Sequence, residues 1–455
     1  MKKRFLPVTA LLALLMALSA ALTEQSFAQG GSQSGVAPVK KAAITAAGVE
    51  AETKAILEQA SEMRHLKILS PVKSGIKSRA EIEQMLIRHL DEKSKPGELE
   101  ASGKALVAFG LASKDFRYRE FIIKLLTEQV AGFYDPKTKE FFLADWNELE
   151  AQKPVMAHEL THALQDQHFN LRRFEDWPRG DSDRELAIHA LIEGDATVLM
   201  FDYLLKPQGM SVAKLPMSIS ALTESGMAMA GGDEMKVIKS APAAIRESLI
   251  FPYSYGAGFA QEMLKQKGWE GLTQAFTDLP QSTEQILHFD KYLAREAPVK
   301  VQLTDIAATL GKDWKRLDVD INGEFGYGVL LSEYIPKAEA RQAAAGWGGD
   351  QWALYENAAD GHLMVVHRSV WDTKGDAEEF FKAYVARTAK RYPGAKERDA
   401  LPATQRSLST PDGETFIELR DQSVVVIEGL PADQYKQLSK IAGALWGAAE
   451  KAKGQ

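Results

Sequence analysis

Cysteine is absent from the 455 residues, which excludes a disulfide framework, a thiolate zinc site and lipid attachment at sulfur. The fold must therefore be held by an apolar core or by a bound ion. Excess positive charge is also missing. Lys and Arg number 55 against 62 Asp and Glu, a formal charge of −7, so neither a nucleic-acid footprint nor a polybasic membrane patch is expected. Beyond the first two dozen residues no stretch is long and apolar enough to span a bilayer. Histidine is scarce, nine in all, and that scarcity gives weight to any pattern that uses two of them.

The one long apolar run is N-terminal. Lys2, Lys3 and Arg4 precede an almost wholly apolar stretch from Phe5 to Leu22, and Ser26-Phe27-Ala28 offers small residues at the −3 and −1 positions of a cleavage site. Residues 1–28 read as a secretory signal peptide, which places the mature chain outside the cytoplasm, secreted or periplasmic, with no integral membrane segment after cleavage. An uncleaved anchor is the alternative. Cleavage removes three basic groups and one acid, Glu24, and moves the formal charge from −7 to −9.

Composition then divides the remainder. Residues 29–48 are rich in Gly, Ser, Ala and Gln and read as a flexible linker. Residues 49–129 carry apolar repeats at helical spacing, such as Ile82, Met85, Leu86 and Leu90, and predict a helical lead-in. Val130–Tyr134 and Glu140–Leu143 predict two strands joined through an Asp135-Pro136 turn, at the start of a catalytic core over 130–300. Within that core, Leu204–Ser248 is rich in Met, Ala, Ser and Gly, including Met227, Met229, Gly231 and Gly232; it reads either as core filler or as a mobile helical lid. A helical connector is expected over 301–345. From 346 to 455 strand-like runs (Gln351–Tyr355, His362–His367, Thr415–Leu419, Ser423–Glu428) alternate with two helical stretches and predict a small α+β domain, with His362 and His367 as structural residues. That domain is the candidate surface for a protein partner.

The chemistry is concentrated in His158-Glu159-Leu160-Thr161-His162. With so few histidines, chance produces this pattern in about one such chain in a hundred. Pro154 suits a first helical turn, and Val155, Met156, Leu160, Ala163 and Leu164 continue at helical spacing. On a helix the two imidazoles share a face and reach one Zn²⁺, while Glu159 stands beside it to take a proton from water. The alternative is a pair of capped or surface histidines on an amphipathic helix. A catalytic zinc usually takes a third protein ligand. A second helix, Arg184–Tyr203, carries Glu185, His189 and Glu193 every four residues beside an apolar stripe, where such groups require partners.

In these two segments the chain resembles the gluzincin superfamily of zinc metallopeptidases. The first motif is similar to the thermolysin-type helix, and Leu191-Ile192-Glu193-Gly194-Asp195-Ala196 is similar to the segment in which related aminopeptidases place a glutamate ligand. The resemblance implies an α+β, zincin-like metallopeptidase core with His158, His162 and Glu193 on zinc and Glu159 as general base; Glu185 and His189 are the reserve third ligands. It also implies that Asp166 orients a ligand imidazole, with a solvent-facing helix aspartate as the alternative. The spacing departs from thermolysin, because Glu193 follows His162 by 31 positions. Val130–Pro136, His158–Leu171 and Ser282–His288 further resemble a family of poorly characterised secreted bacterial proteins assigned to this peptidase group. For the donor to a developing oxyanion, Tyr253, Tyr255 and His288 are the candidates.

The expected activity is hydrolysis of peptide bonds in a peptide or protein substrate, internal rather than terminal, since no amine-recognition signature of an exopeptidase is present. Two other readings stay open: a catalytically silent binding protein or scaffold on the same fold, and a zinc hydrolase of a non-peptide substrate.

Overall fold

A computed structural model describes residues 44–95, 97–146, 148–175, 179–229 and 236–451. The expected signal peptide and most of the expected linker lie outside the described residues, as do Trp177, Pro178, Gly231, Gly232 and the side chains of Met227 and Met229. The architecture is α+β, with a helical N-terminal region and a C-terminal β-sheet.

The first helix, Ala46–Arg64, starts where Thr45 accepts a hydrogen bond from Gly48 N, a side-chain cap for a donor that the helix cannot satisfy. The lead-in is not purely helical. Strand β1 (Lys73–Lys77) interrupts it before the helices Arg79–Lys93, Glu98–Ala108 and Tyr118–Gln129. β1 runs parallel to β3 (Glu140–Ala144), which pairs antiparallel with β2 (Gly132–Asp135), so the order is β1-β3-β2 and β2 is an edge. The β2–β3 turn closes as its sequence suggests: the Asp135 carboxylate accepts from Lys137 N, and Lys139 takes φ 61°.

Three buried helices follow. The motif helix spans Leu149–Phe169, so Pro154 lies inside it rather than in its first turn. The proline removes one internal N–H bond, and tertiary packing carries the helix across the gap. One of its faces meets Val49, Ile56, Leu57 and Ala60 of the first helix through Met156, Ala157, Leu160 and Leu164. The second helix, Ser182–Leu205, crosses the long helix Ala243–Ala275 in backbone contact: a Cβ on Gly194 would collide with the Gly256 carbonyl, and one on Gly256 with the Ala190 carbonyl. Only glycine permits that approach.

The region expected as a helical connector is partly strand, because β4 (Lys300–Gln302) and β5 (Trp314–Asp320) precede the helices Gly323–Ser332 and Lys337–Ala344. Strands β6 (Trp347–Asn357), β7 (Leu363–Trp371), β8 (Lys396–Glu397), β9 (Gln405–Thr410), β10 (Gly413–Arg420) and β11 (Ser423–Leu430) join β5 in a seven-stranded antiparallel sheet of order β5-β6-β7-β11-β10-β9-β8. Side chains alternate between its two faces. Trp352, Leu354 and Val424 meet the helix Lys374–Arg391, while Ala353, Tyr355 and Val425 meet the helix Leu438–Trp446. A last strand, β12 (Ala449–Lys451), pairs with β4. No described helix is long and apolar enough to cross a membrane.

A buried ion cluster ties this sheet to the lead-in. Arg387 bonds Glu428 and the Phe109 carbonyl, Arg391 reaches Glu428 at 2.7 Å, and the Tyr384 hydroxyl donates to Glu428 at 2.7 Å. Burial pushes the Glu428 carboxyl up, but the two guanidiniums outweigh it and hold the group below its ordinary value. Such a depressed carboxylate stabilises the fold above its unfolded pKa of about 4.3 and loses that contribution as pH falls through the folded value. Arg387→Ala leaves a buried charge with one partner fewer and is expected to cost about 3–5 kcal/mol, read from urea unfolding at neutral pH. A cost within error of zero would show that the cluster is not structural.

Candidate metal centre

His158, Glu159 and His162 are buried on the motif helix, with one ligating atom of each within 4.8 Å of the others. Glu193, from the second helix, completes the group. Its Oε2 lies 3.0 Å from His158 Nε2 and 3.4 Å from His162 Nε2, and the two Nε2 atoms are 3.1 Å apart. Donors at 2.0–2.1 Å around a tetrahedral zinc are separated by about 3.3 Å. The three atoms therefore sit at the spacing a zinc ion requires, and two imidazoles and a carboxylate are the donor set it takes. Neither Glu185 nor His189 occupies that position. His189 is buried one turn earlier, where burial pushes its pKa down to about 3 against the opposing charge of Glu193.

Burial and mutual charge shift the four groups in different directions. Burial keeps His158 below its ordinary pKa. Burial also works against the charge on His162, but Glu193 overrides it and raises His162 to about 9. Burial opposes the charge on Glu193 as well, yet His162 holds it down at about 2. Glu159 is pushed up to about 8, chiefly by burial and further by Glu193. Its Oε2 accepts from Tyr134 N at 2.7 Å, whereas Oε1, like His158 Nδ1, is buried with no hydrogen-bond partner among the described residues. A bound cation inverts this balance, because it displaces the imidazole proton and favours an ionised Glu159.

The orientation of His162 is over-determined. Asp195 can only accept, so Gln165 presents Nε2 to it at 2.9 Å, and to the Ile192 carbonyl at 3.0 Å. Gln165 Oε1 must then face His162 Nδ1, 2.8 Å away, which keeps a proton on Nδ1 and makes Nε2 the atom that would release its proton to a metal. Asp195 is itself paired with Arg64 at 2.7 Å, both side chains wholly buried, and Arg64 also donates to Thr273 Oγ1 and the Trp269 carbonyl. Asp166, expected to orient a ligand, accepts instead from the Tyr134 hydroxyl at 3.0 Å and from Leu171 N at 2.9 Å. It thereby holds β2 against the motif helix.

Of the three oxyanion candidates, one packs on a ligand. The buried Tyr253 ring stacks on His158 with centroids 6.0 Å apart at 26°. Tyr255 donates to Glu224 at 2.8 Å and bonds Arg341, away from the histidine pair. His288 pairs with Glu324 at 2.8 Å, beside a second acidic group of Glu284, Glu296 and Asp372. The Lys291 ammonium already serves as cation to that group, at 2.6, 3.4 and 2.5 Å. His362 and His367 have structural partners, the Gly429 carbonyl and the Tyr327 hydroxyl.

Residues 314–439 match a family described as a domain of unknown function, DUF8575. The match begins at the first residue of β5 and excludes every member of the metal centre. No curated protein and no solved structure matches the chain.

Asp195→Ala and Gln165→Leu are each expected to weaken zinc binding about 10–100-fold, measured by competition with a chromogenic chelator. Arg64→Ala should follow them in the same assay. Wild-type affinity in all three would show that the chain from Arg64 to His162 does not orient the ligand.

Proposed function

We propose that the protein is a zinc-dependent peptidase of gluzincin type, with a zincin-like core over about 130–300 and a signal peptide that directs it to the periplasm or the medium. The observation that carries this reading is the convergence of His158, His162 and Glu193 at tetrahedral spacing with Glu159 beside them.

Zinc bound there would supply Lewis-acid polarisation of an amide carbonyl and a lowered pKa for water. The chain supplies the rest. Glu159, held through Oε2 by Tyr134 N, keeps Oε1 to accept a proton from the attacking water and return it to the leaving amine. Tyr134 N–H leaves β2 on the side away from β3, so the outer edge of β2 faces the motif helix. An extended peptide pairing there by strand addition would lie along Glu159. Tyr253, whose ring stacks on His158, is the phenol we assign to developing charge on oxygen.

A zinc-holding scaffold without turnover is the second reading. The feature in its favour is burial: His158 and Glu159 are 0% exposed, Glu193 2% and His162 3%. A zinc hydrolase of a non-peptide substrate would use the same groups. Zinc content by elemental mass spectrometry and cleavage of a peptide library separate the three. For the peptidase, Glu159→Ala is expected to keep about one zinc per chain while turnover falls about 10²–10⁴-fold. Glu193→Ala should lose most of the zinc and the activity with it. Undiminished cleavage by the Glu159 variant would remove the mechanism. A folded wild type that retains no zinc would favour a metal-free scaffold.

A further inference from the structure

The segment Ser282–Leu293 supplies no candidate metal ligand, yet it gathers charged groups where the core meets the sheet domain. Its two short helices, Thr283–Leu287 and Phe289–Leu293, join at His288. His288 Nε2 lies 2.8 Å from Glu324 on the helix Gly323–Ser332. Lys291 Nζ lies 2.6 Å from Glu284, 3.4 Å from Glu296 and 2.5 Å from Asp372, the residue that follows β7. Both cations of the segment thus reach across to carboxylates of the C-terminal part. On its other side the segment is held by the second helix, where the Asp183 carboxylate accepts from Thr283 N and Oγ1. Glu296 and Asp372 make further interactions of their own, so the balance turns on the two most enclosed acids, Glu284 at 1% exposure and Glu324 at 6%.

The two cations differ in kind. Burial works against the Lys291 ammonium, but Asp372 and Glu284 outweigh it and raise its pKa, so it stays charged throughout. The imidazole of His288 does not. Its hydrogen bond to Glu324 raises it above 6.5, with burial in opposition. Burial pushes Glu284 up to about 7 against the pull of Lys291, and Glu324 and Asp372 add to that push. Burial likewise lifts Glu324 against the pull of His288. All three groups hold a proton more tightly in the folded chain than in the unfolded one. Their contribution to stability is therefore full at low pH and is lost as pH rises, for Glu284 between about 4.5 and 7 and for His288 from about 6.5 upward.

We infer that this cluster is a pH-dependent clasp between the core and the sheet domain, closed in mildly acidic solution and loosened in alkaline solution, where His288 loses its charge and Glu284 gains one. The clasp does not rest on the peptidase reading, and its test needs neither zinc nor substrate. Hydrogen exchange of the full chain, corrected for the intrinsic rate at each pH, compares the opening of residues 283–296 with that of the β10–β11 pair. In the wild type, opening of 283–296 is expected to become about tenfold easier between pH 5.5 and 8.5, while the strand pair stays unchanged. Glu284→Gln keeps a carbonyl for Lys291 without adding charge. Its segment should match the wild type at pH 5.5 and be better protected than the wild type at pH 8.5. His288→Gln should open the segment more than the wild type at pH 5.5 and equally at pH 8.5. Protection in the wild type that is indifferent to pH overturns the clasp. So does a Glu284→Gln segment that opens more readily at both pH values, since Glu284 would then be an ordinary ion-pair partner of Lys291.

Discussion

Holding two imidazoles and a carboxylate within 3.4 Å of one another, away from water, is the constraint on which the rest of the core depends. Each group loses hydration on burial, and in an apolar layer that loss is recovered only through partners with good geometry. The motif helix and the second helix provide the groups, and neither can position them alone. Gly194 follows the ligand Glu193 because the long helix must approach there to backbone contact, and the same approach lays Tyr253 on His158. The glycine after the ligand is thus a packing requirement of the three-helix crossing, with a direct consequence for the site.

The same constraint defines the role of the N-terminal helix. Arg64 is wholly buried, paired with Asp195, and through Gln165 bears on His162. A buried ion pair is a weak source of net stability but becomes costly when one partner is removed. Loss of residues 46–64 would leave the buried Asp195 without its cation behind a candidate ligand. The lead-in therefore buttresses the candidate metal centre through this chain of contacts. Asp166 makes a similar link on the other side, where it fixes Tyr134 and hence the Tyr134 N–H that holds Glu159.

What was legible in the sequence follows the range of the interactions involved. The histidine pair, Glu159, the β2–β3 hairpin and the runs that became β6, β7, β10 and β11 are local patterns of period 3.6 or 2, and they read directly. Glu193 was reachable only through resemblance, because a ligand 31 residues from the motif has no periodic signature. Three features went unread for physical reasons. β1 is a five-residue segment with glycine at its centre, Gly75, against Phe142. β5 and β9 carry charged or polar residues at most positions and owe their strand state to neighbours in the sheet. The orienting chain joins residues 64, 165 and 195, and nothing in the composition near Arg64 distinguishes it from a solvated helix end. Asp166 was assigned to an imidazole on motif likeness, whereas its neighbour Gln165, three residues after His162, is the one on the helical face that meets the ligand.

For the proposed peptidase, burial of the candidate ligands and access by a substrate pull in opposite directions. The second helix and the long helix meet backbone to backbone at Gly194 and Gly256, so parting them would shift Glu193 and lift Tyr253 from His158. The lead-in is no freer to part from the sheet, because Arg387 joins the Phe109 carbonyl to Glu428 inside a buried cluster, where removal of one partner is costly.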